Sequence, residues 1–127
     1  MPISGKTRLI AHIGYPTESF KAPMIYNPWF VQQGIDAVVV PMGVQADDYR
    51  STLQVLRRFT NLHGALITMP HKVVTLDLVD EATPTARIAG ACNAILLRPD
   101  GSLLGDQFEH RFERVRGVVD GRSRVAD

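Results

Sequence analysis

Three short apolar runs, each followed by a stretch with helical spacing, constrain this chain more than any other feature. They are Thr7–Ile13 (TRLIAHI), Asp36–Met42 (DAVVVPM) and Ala65–Met69 (ALITM), with little of the polar alternation that a half-exposed strand shows. Runs of this kind suit strands buried on both faces, and such burial needs helices on each side of a sheet. The segments between them supply those helices. Gly14-Tyr15-Pro16 ends the first run, and residues 23–33 then read as a helix with Pro23 in its first turn and Gly34 as its stop. Pro28 removes a backbone donor inside that helix, so a kink or a delayed start is expected there. Asp47-Asp48 opens a second helix, with Tyr49, Leu53, Leu56 and Phe59 spaced for one buried face. Gly64 precedes the third strand. A third helix starts at Pro70 and continues through Leu76, Val79 and Asp80-Glu81, and a further helical turn follows at Thr83-Pro84. Ala94–Leu97, the turn Arg98–Gly101 and Ser102–Leu104 read as a β-hairpin. The expected fold is therefore α/β: a mainly parallel sheet with one antiparallel strand and helices on both faces.

At 127 residues the chain has the length of one domain, and no repeat, linker or low-complexity tract divides it. Fourteen basic residues against 13 acidic ones leave a net charge of +1, which makes no electrostatic case for nucleic acid or an acidic membrane. No apolar run approaches the ~20 residues that span a bilayer, and no signal-peptide core opens the chain, so a cytoplasmic protein is expected. Cys92 is alone, which rules out a disulfide framework and suits a small packing residue. His12, His63, His71 and His110 lack ligand spacing, so no metal site is expected. From His110 onward, Arg111, Arg114, Arg116, Arg122 and Arg124 alternate with Glu113, Asp120 and Asp127, the pattern of a solvated, poorly ordered terminus.

Ligands of open α/β sheets collect outside the carboxyl ends of the strands. Polar clusters fall there: Tyr15–Asn27 after the first strand, Thr68–Lys72 after the third, Asn93 before the hairpin and Glu109 after it. Lys72 stands out because the first turn of a helix carries partial positive charge and opposes an ammonium. A lysine placed so is suited to passing a proton to or from a substrate hydroxyl, with a carboxylate nearby to hold it. The plainer alternative is a lysine that snorkels into solvent. Thr68 can donate to a ligand oxygen or satisfy a backbone group.

Taken in order, Gly14-Tyr15-Pro16, Ala22-Pro23 with Asn27, Gly34-Ile35-Asp36-Ala37, Thr68-Met69-Pro70-His71-Lys72, Gly90-Ala91-Cys92-Asn93-Ala94-Ile95 and Asp100-Gly101 to Gly105-Asp106 resemble the N-terminal, substrate-binding domain of the shikimate dehydrogenase family. The resemblance runs from about Leu9 to Phe108. It implies an oxidoreductase of aromatic amino acid biosynthesis that interconverts 3-dehydroshikimate and shikimate with NADPH; some relatives use quinate or NAD. It also implies Lys72 as the proton-transfer lysine, Glu109 at the place of its carboxylate partner, and Thr68 and Asn93 as holders of ring hydroxyls. The chain departs from the family where two serines usually hold the substrate carboxylate: Phe20 and Ala22 stand there, with Ser19 and Lys21 beside them. Lys21 can still meet a carboxylate as a point charge. Tyr26 replaces a frequent histidine, and Leu66 a frequent asparagine. Gln107-Phe108-Glu109-His110 replaces Asn-Thr-Asp-Gly, and glutamate for aspartate moves the carboxylate by about 1.5 Å.

No Gly-x-Gly-x-x-Gly occurs, so this chain is expected to bind no cofactor itself, and NADP only where a Rossmann domain is supplied. Two functions follow as expectations. One is the substrate-binding domain of a shikimate/quinate dehydrogenase-like enzyme, inactive alone, either a fragment or a truncated relative. The other is a non-catalytic small-molecule-binding or oligomeric scaffold module on the same fold. Apolar surface left uncovered without a cofactor domain would drive homodimer formation.

Overall fold

The computed structural model describes residues 2–120, and strands and helices alternate as the apolar runs require. β1 (Arg8–Gly14), β2 (Ala37–Gly43) and β3 (Leu62–Ile67) are parallel, with β1 between the other two. β5 (Ala94–Leu97) pairs antiparallel with β3 and with β6 (Leu103–Asp106), and the short β4 (Glu81–Ala82) lies parallel to β6 at the far edge. In the order β2-β1-β3-β5-β6-β4, only β5 is reversed among the described strands, so the expected single antiparallel strand is present.

Helices α1 (Ala22–Gln33) and α5 (Arg111–Asp120) cover one face, and α2 (Ala46–Leu56) and α3 (Lys72–Leu78) the other. The short α4 (Pro84–Ala89) follows β4. Strand side chains alternate between two cores. Ile10, Val39, Leu66 and Ala94 meet Tyr26 and Phe30 of α1 and Val115, Val118 and Val119 of α5. Ala11, Ile13, Ala65, Ile67 and Ile95 meet Tyr49, Leu53 and Leu56 of α2 and Leu78 of α3. Burial on both faces is the reason the strands read as unbroken apolar runs.

Several boundaries differ from the sequence pattern, each for a physical reason. α1 runs through Pro28. Its proline is exposed, while Tyr26 and Phe30 on the opposite side are 1% exposed. Burying two such rings contributes ~1.5–3 kcal/mol each, which offsets the ~3 kcal/mol cost of an internal proline. Gly34 ends the helix with φ 68°, as its placement suggested. β3 begins at Leu62 and stops at Ile67 rather than spanning 65–69; Leu9 pairs with Leu62 and Ile10 with Gly64, so His63 is an extra residue and Gly64 lies inside the strand. α2 ends at Leu56, and Phe59 stands 43% exposed beyond it instead of extending the buried face. α3 opens at Lys72, not Pro70, and ends at Leu78. There Asp80 exchanges bonds with Leu103: its N–H donates to Leu103 O at 3.0 Å, and its carboxylate accepts from Leu103 N–H at 2.7 Å. That pairing draws Glu81 and Ala82 into β4 instead of a helix.

The largest correction concerns the arginine-rich tail. Residues 111–120 are helical, and Val115, Val118 and Val119 are buried against the sheet. Their i, i+3, i+4 spacing is a helical stripe, and burying it outweighs the preference of the interspersed charged residues for water. Arg122, Arg124 and Asp127 lie outside the described residues.

At the outer edge, the Asn27 side chain works as a piece of sheet. Its amide donates to Val39 O at 3.1 Å and accepts from Val39 N–H at 2.8 Å, closing the free edge of β2 against pairing with another strand. Asn27→Ala is expected to lower stability by about 1–3 kcal/mol, read as a shift in the urea midpoint at unchanged slope.

Candidate functional site

Four chain segments meet at the carboxyl edge of the parallel strands. β1, β3 and β6 end there, and the reversed β5 begins there, so the loops at 15–21, 68–71 and 107–110 and Asn93 become neighbours. Backbone hydrogen bonds tie them together. Thr68 N–H donates to Ile13 O (2.9 Å), Tyr15 N–H to Met69 O (3.1 Å), Ile67 N–H to Asn93 O (2.9 Å), Asn93 N–H to Asp106 O (3.0 Å) and Cys92 N–H to Lys72 O (2.9 Å). The Tyr15–Pro16 and Met69–Pro70 peptide bonds are cis. Gly14 allows the closest approach: a Cβ there would lie 2.3 Å from Thr68 Cγ2 and 2.8 Å from Phe20 Cζ.

Lys72 is the first residue of α3, and its neighbour His71 fixes where that helix starts. His71 is fully buried and stacks on Tyr49 at 4.1 Å. Its Nε2 lies 2.6 Å from Val44 O; a carbonyl only accepts, so Nε2 donates. Thr75 Oγ1 donates to His71 O at 2.7 Å and therefore accepts from the Tyr49 hydroxyl, also at 2.7 Å. Burial holds His71 below the ordinary histidine range, which suits this neutral ring. It is a structural pin. Among the described residues no group of three or more histidine, cysteine, aspartate or glutamate side chains is arranged to hold a metal ion.

The candidate side chains divide into three groups. Thr68, Lys21 and Tyr26 line a cavity of about 290 Å³ between β1 and α1. Asn93 is buried behind the β6 exit, where its amide donates to Phe108 O (2.7 Å) and accepts from Phe108 N–H (2.9 Å). Each of those groups keeps one further hydrogen or lone pair. Lys72 is half-buried and Glu109 exposed; neither lines the cavity, and the two are not ion-paired with each other. Cys92 is a buried packing residue, with its thiol pushed up to about 11 chiefly by burial.

Two cavity residues escape the sequence reading: His12 on β1 and Arg114 on α5. For His12 the signal is a histidine in an apolar run, two places from Ile10 and on the same face; for Arg114 it is the valine stripe that makes α5 a helix. His12 is 6% exposed and stacks on Phe20 at 4.3 Å. Burial first, and then the Arg114 guanidinium, hold its pKa down at about 4. A histidine neutral in the fold but ionised in the unfolded chain favours unfolding as the medium acidifies. Stability present above pH ~6.5 is therefore expected to fall as the pH drops toward 4, by an amount on the order of 2 kcal/mol from His12. His63 and His71 are shifted the same way, so the His12 share is read as the part of the pH slope that His12→Val removes.

Residues 12–95 match the family model of the shikimate dehydrogenase substrate binding domain. The chain belongs to that family. It is 36% identical over 103 residues to the shikimate dehydrogenase (NADP(+)) of Paramagnetospirillum magneticum, covering 81% of this chain and 37% of that protein. The shikimate 5-dehydrogenase of Listeria monocytogenes, solved with shikimate and NAD, superimposes with a TM-score of 0.76 at 30% identity, over 84% of this chain and 36% of that one. A shikimate dehydrogenase solved with NADP+ gives a TM-score of 0.77 at 28% identity, over 83% and 36%. This shikimate dehydrogenase substrate-binding domain thus spans little more than a third of the length of these relatives. α1 opens at Lys21-Ala22-Pro23, where proline removes a backbone donor, and α2 and α3 open at Gln45-Ala46 and His71-Lys72. No helix of the described chain is long and apolar enough to cross a membrane.

Proposed function

We propose that this domain binds a small cyclic hydroxy-carboxylate of the shikimate type at the carboxyl edge of its sheet. The observation that carries this reading is the convergence of Thr68, Lys72 and Asn93 on one edge, through hydrogen bonds that join β1, β3, β5 and β6. Thr68 and the remaining capacity of the Asn93 amide meet ring hydroxyls. Lys21 and Tyr26 face the ligand from α1. Lys72 exchanges a proton with the reacting oxygen, and Glu109, on the exposed loop after β6, closes on it when the ligand is in place; such contacts commonly tighten only in the complex. NADP(H), as hydride donor, would take part only where a Rossmann domain is supplied to hold it.

A second reading, a non-catalytic binding module, is favoured by one observation. Phe20 stands at a serine position of the family and packs its ring on His12 at 4.3 Å, so the hydroxyl pair is replaced by an aromatic wall.

Calorimetric titration with shikimate and quinate tests both. Shikimate binding that disappears in Lys72→Ala supports the first reading. Binding unchanged in Lys72→Ala favours the second, and no binding of any cyclic carboxylate overturns ligand recognition at this edge.

A further inference from the structure

The cavity between β1 and α1 is rich in cations and polar groups. Its wall holds the cations Lys21 and Arg114, the hydroxyls of Ser19 and Thr68, and the imidazole of His12, with no aspartate or glutamate among the described residues that line it. At about 290 Å³ it stands at the lower end of small-ligand sites, ~300–1,000 Å³.

His12 is the residue that the fold alone does not explain. It is 6% exposed, and neither ring nitrogen has a hydrogen-bond partner among the described residues; Nδ1 is buried outright. A buried polar group left unmet costs about 1–3 kcal/mol, whereas a valine or isoleucine there would continue the apolar run of β1 at no such cost. His71 shares a buried, unmet Nδ1, but its Nε2 is used within the fold at Val44 O, whereas Nε2 of His12 has no such partner among the described residues. Phe20, stacked at 4.3 Å with 24° between planes, fixes the His12 ring, which is neutral near pH 7 and so offers one N–H donor and one lone pair.

We propose that His12 is a specificity-determining residue of this cavity, hydrogen-bonding the carboxylate end of the ligand, whose charge lies between Lys21 and Arg114. The inference rests on the proposed binding of a cyclic hydroxy-carboxylate and deepens it. Positions 20 and 22 offer no hydroxyl, and an imidazole and two cations from three different elements take over their task. Arg114 links the site to α5, so the helix that completes the core also completes the cavity.

The test compares shikimate with its methyl ester, which keeps the ring and its hydroxyls but carries no charge, and with inorganic phosphate. The expected result is that the folded domain binds the acid roughly 10- to 100-fold more tightly than the ester. His12→Val, Lys21→Gln and Arg114→Gln each narrow that ratio, while Lys72→Ala weakens acid and ester alike. Imidazole resonances of His12 are expected to move on adding the acid and to stay in place with phosphate. His12→Gln serves as a second variant should His12→Val melt early, and each variant is compared at temperatures where its circular dichroism is that of the parent. Equal affinity for acid and ester, or an unchanged ratio in His12→Val and His12→Gln, overturns the role of His12 while leaving shikimate binding intact. Phosphate displacing shikimate at similar concentration also overturns it, marking a general oxyanion site. If neither acid nor ester binds, the binding reading falls and this inference with it.

Discussion

Gly64→Ala is expected to cost the fold about 3 kcal/mol, a large part of the stability of a domain this size. A Cβ at position 64 would lie 2.2 Å from Ile95 O and 2.9 Å from Val118 Cγ1. A flexible side chain can move aside, but the first of these atoms is backbone in the centre of the sheet, where β3 pairs with β5. Relief requires β5 to shift or α5 to lift, and either one loosens the buried contacts of Val115, Val118 and Val119. Urea unfolding reads the effect directly, as a lower midpoint. The same variant should bind shikimate more weakly, because Arg114 is carried on α5. An unfolding free energy within about 0.5 kcal/mol of the parent's, on the scale of ordinary surface substitutions, would show that α5 is not seated on Gly64.

The second large effect is at Asn93. Its amide meets both the N–H and the C=O of Phe108, and both groups are buried. Asn93→Ala leaves a donor and an acceptor unmet, at about 1–3 kcal/mol each. The expected loss is therefore about 2–6 kcal/mol, together with disordering of the 107–110 loop that carries Glu109. Asn93→Asp should not restore stability: a carboxylate can accept from Phe108 N–H but offers nothing to Phe108 O and repels it. A rescue by aspartate would mean that only one of the two bonds matters. Loss of affinity in an Asn93 variant therefore reports on loop position as well as on the proposed hydroxyl contact.

Much of the fold was legible because both-face burial leaves a plain trace in sequence. Ile10, Val39 and Leu66 on one side and Ala11, Ile13 and Ala65 on the other make continuous apolar runs, and runs alternating with helical stretches imply a parallel sheet. The misreadings share one cause: a local signal outweighed by tertiary packing. Pro28 predicts a break in isolation, but Tyr26 and Phe30 anchor the helix on either side. Gly64 looks like punctuation and is a strand residue that only glycine can fill. In the tail, alternating arginines and acids hid the stripe Val115, Val118, Val119. Glu81 and Ala82 enter the sheet through a bond between Asp80 and Leu103, which no sequence window of that length contains.

The site was legible in outline, because its candidate residues sit at strand ends whose order in the sheet follows from the fold class. Thr68, Lys21 and Tyr26 do share a cavity. The partners of Asn93 and His71 were hidden, since each contacts the backbone of a distant residue, Phe108 and Val44. Arg114 was out of reach for a different reason: its place in the cavity depends on a helix that the charge pattern concealed.

The central claim, that ligand binds at the carboxyl edge, has a competitor within the molecule. A larger cleft of about 650 Å³ opens at the opposite edge, lined by Arg58, His63, Leu97 and Gly101 among others. Backbone amide resonances followed during titration with shikimate decide between them. Shifts are expected at Gly14, Tyr15, Thr68, Met69 and Asn93, with Arg58, Leu62, Leu97 and Gly101 unmoved. Shifts confined to the second group, or none at a saturating concentration, would contradict the account.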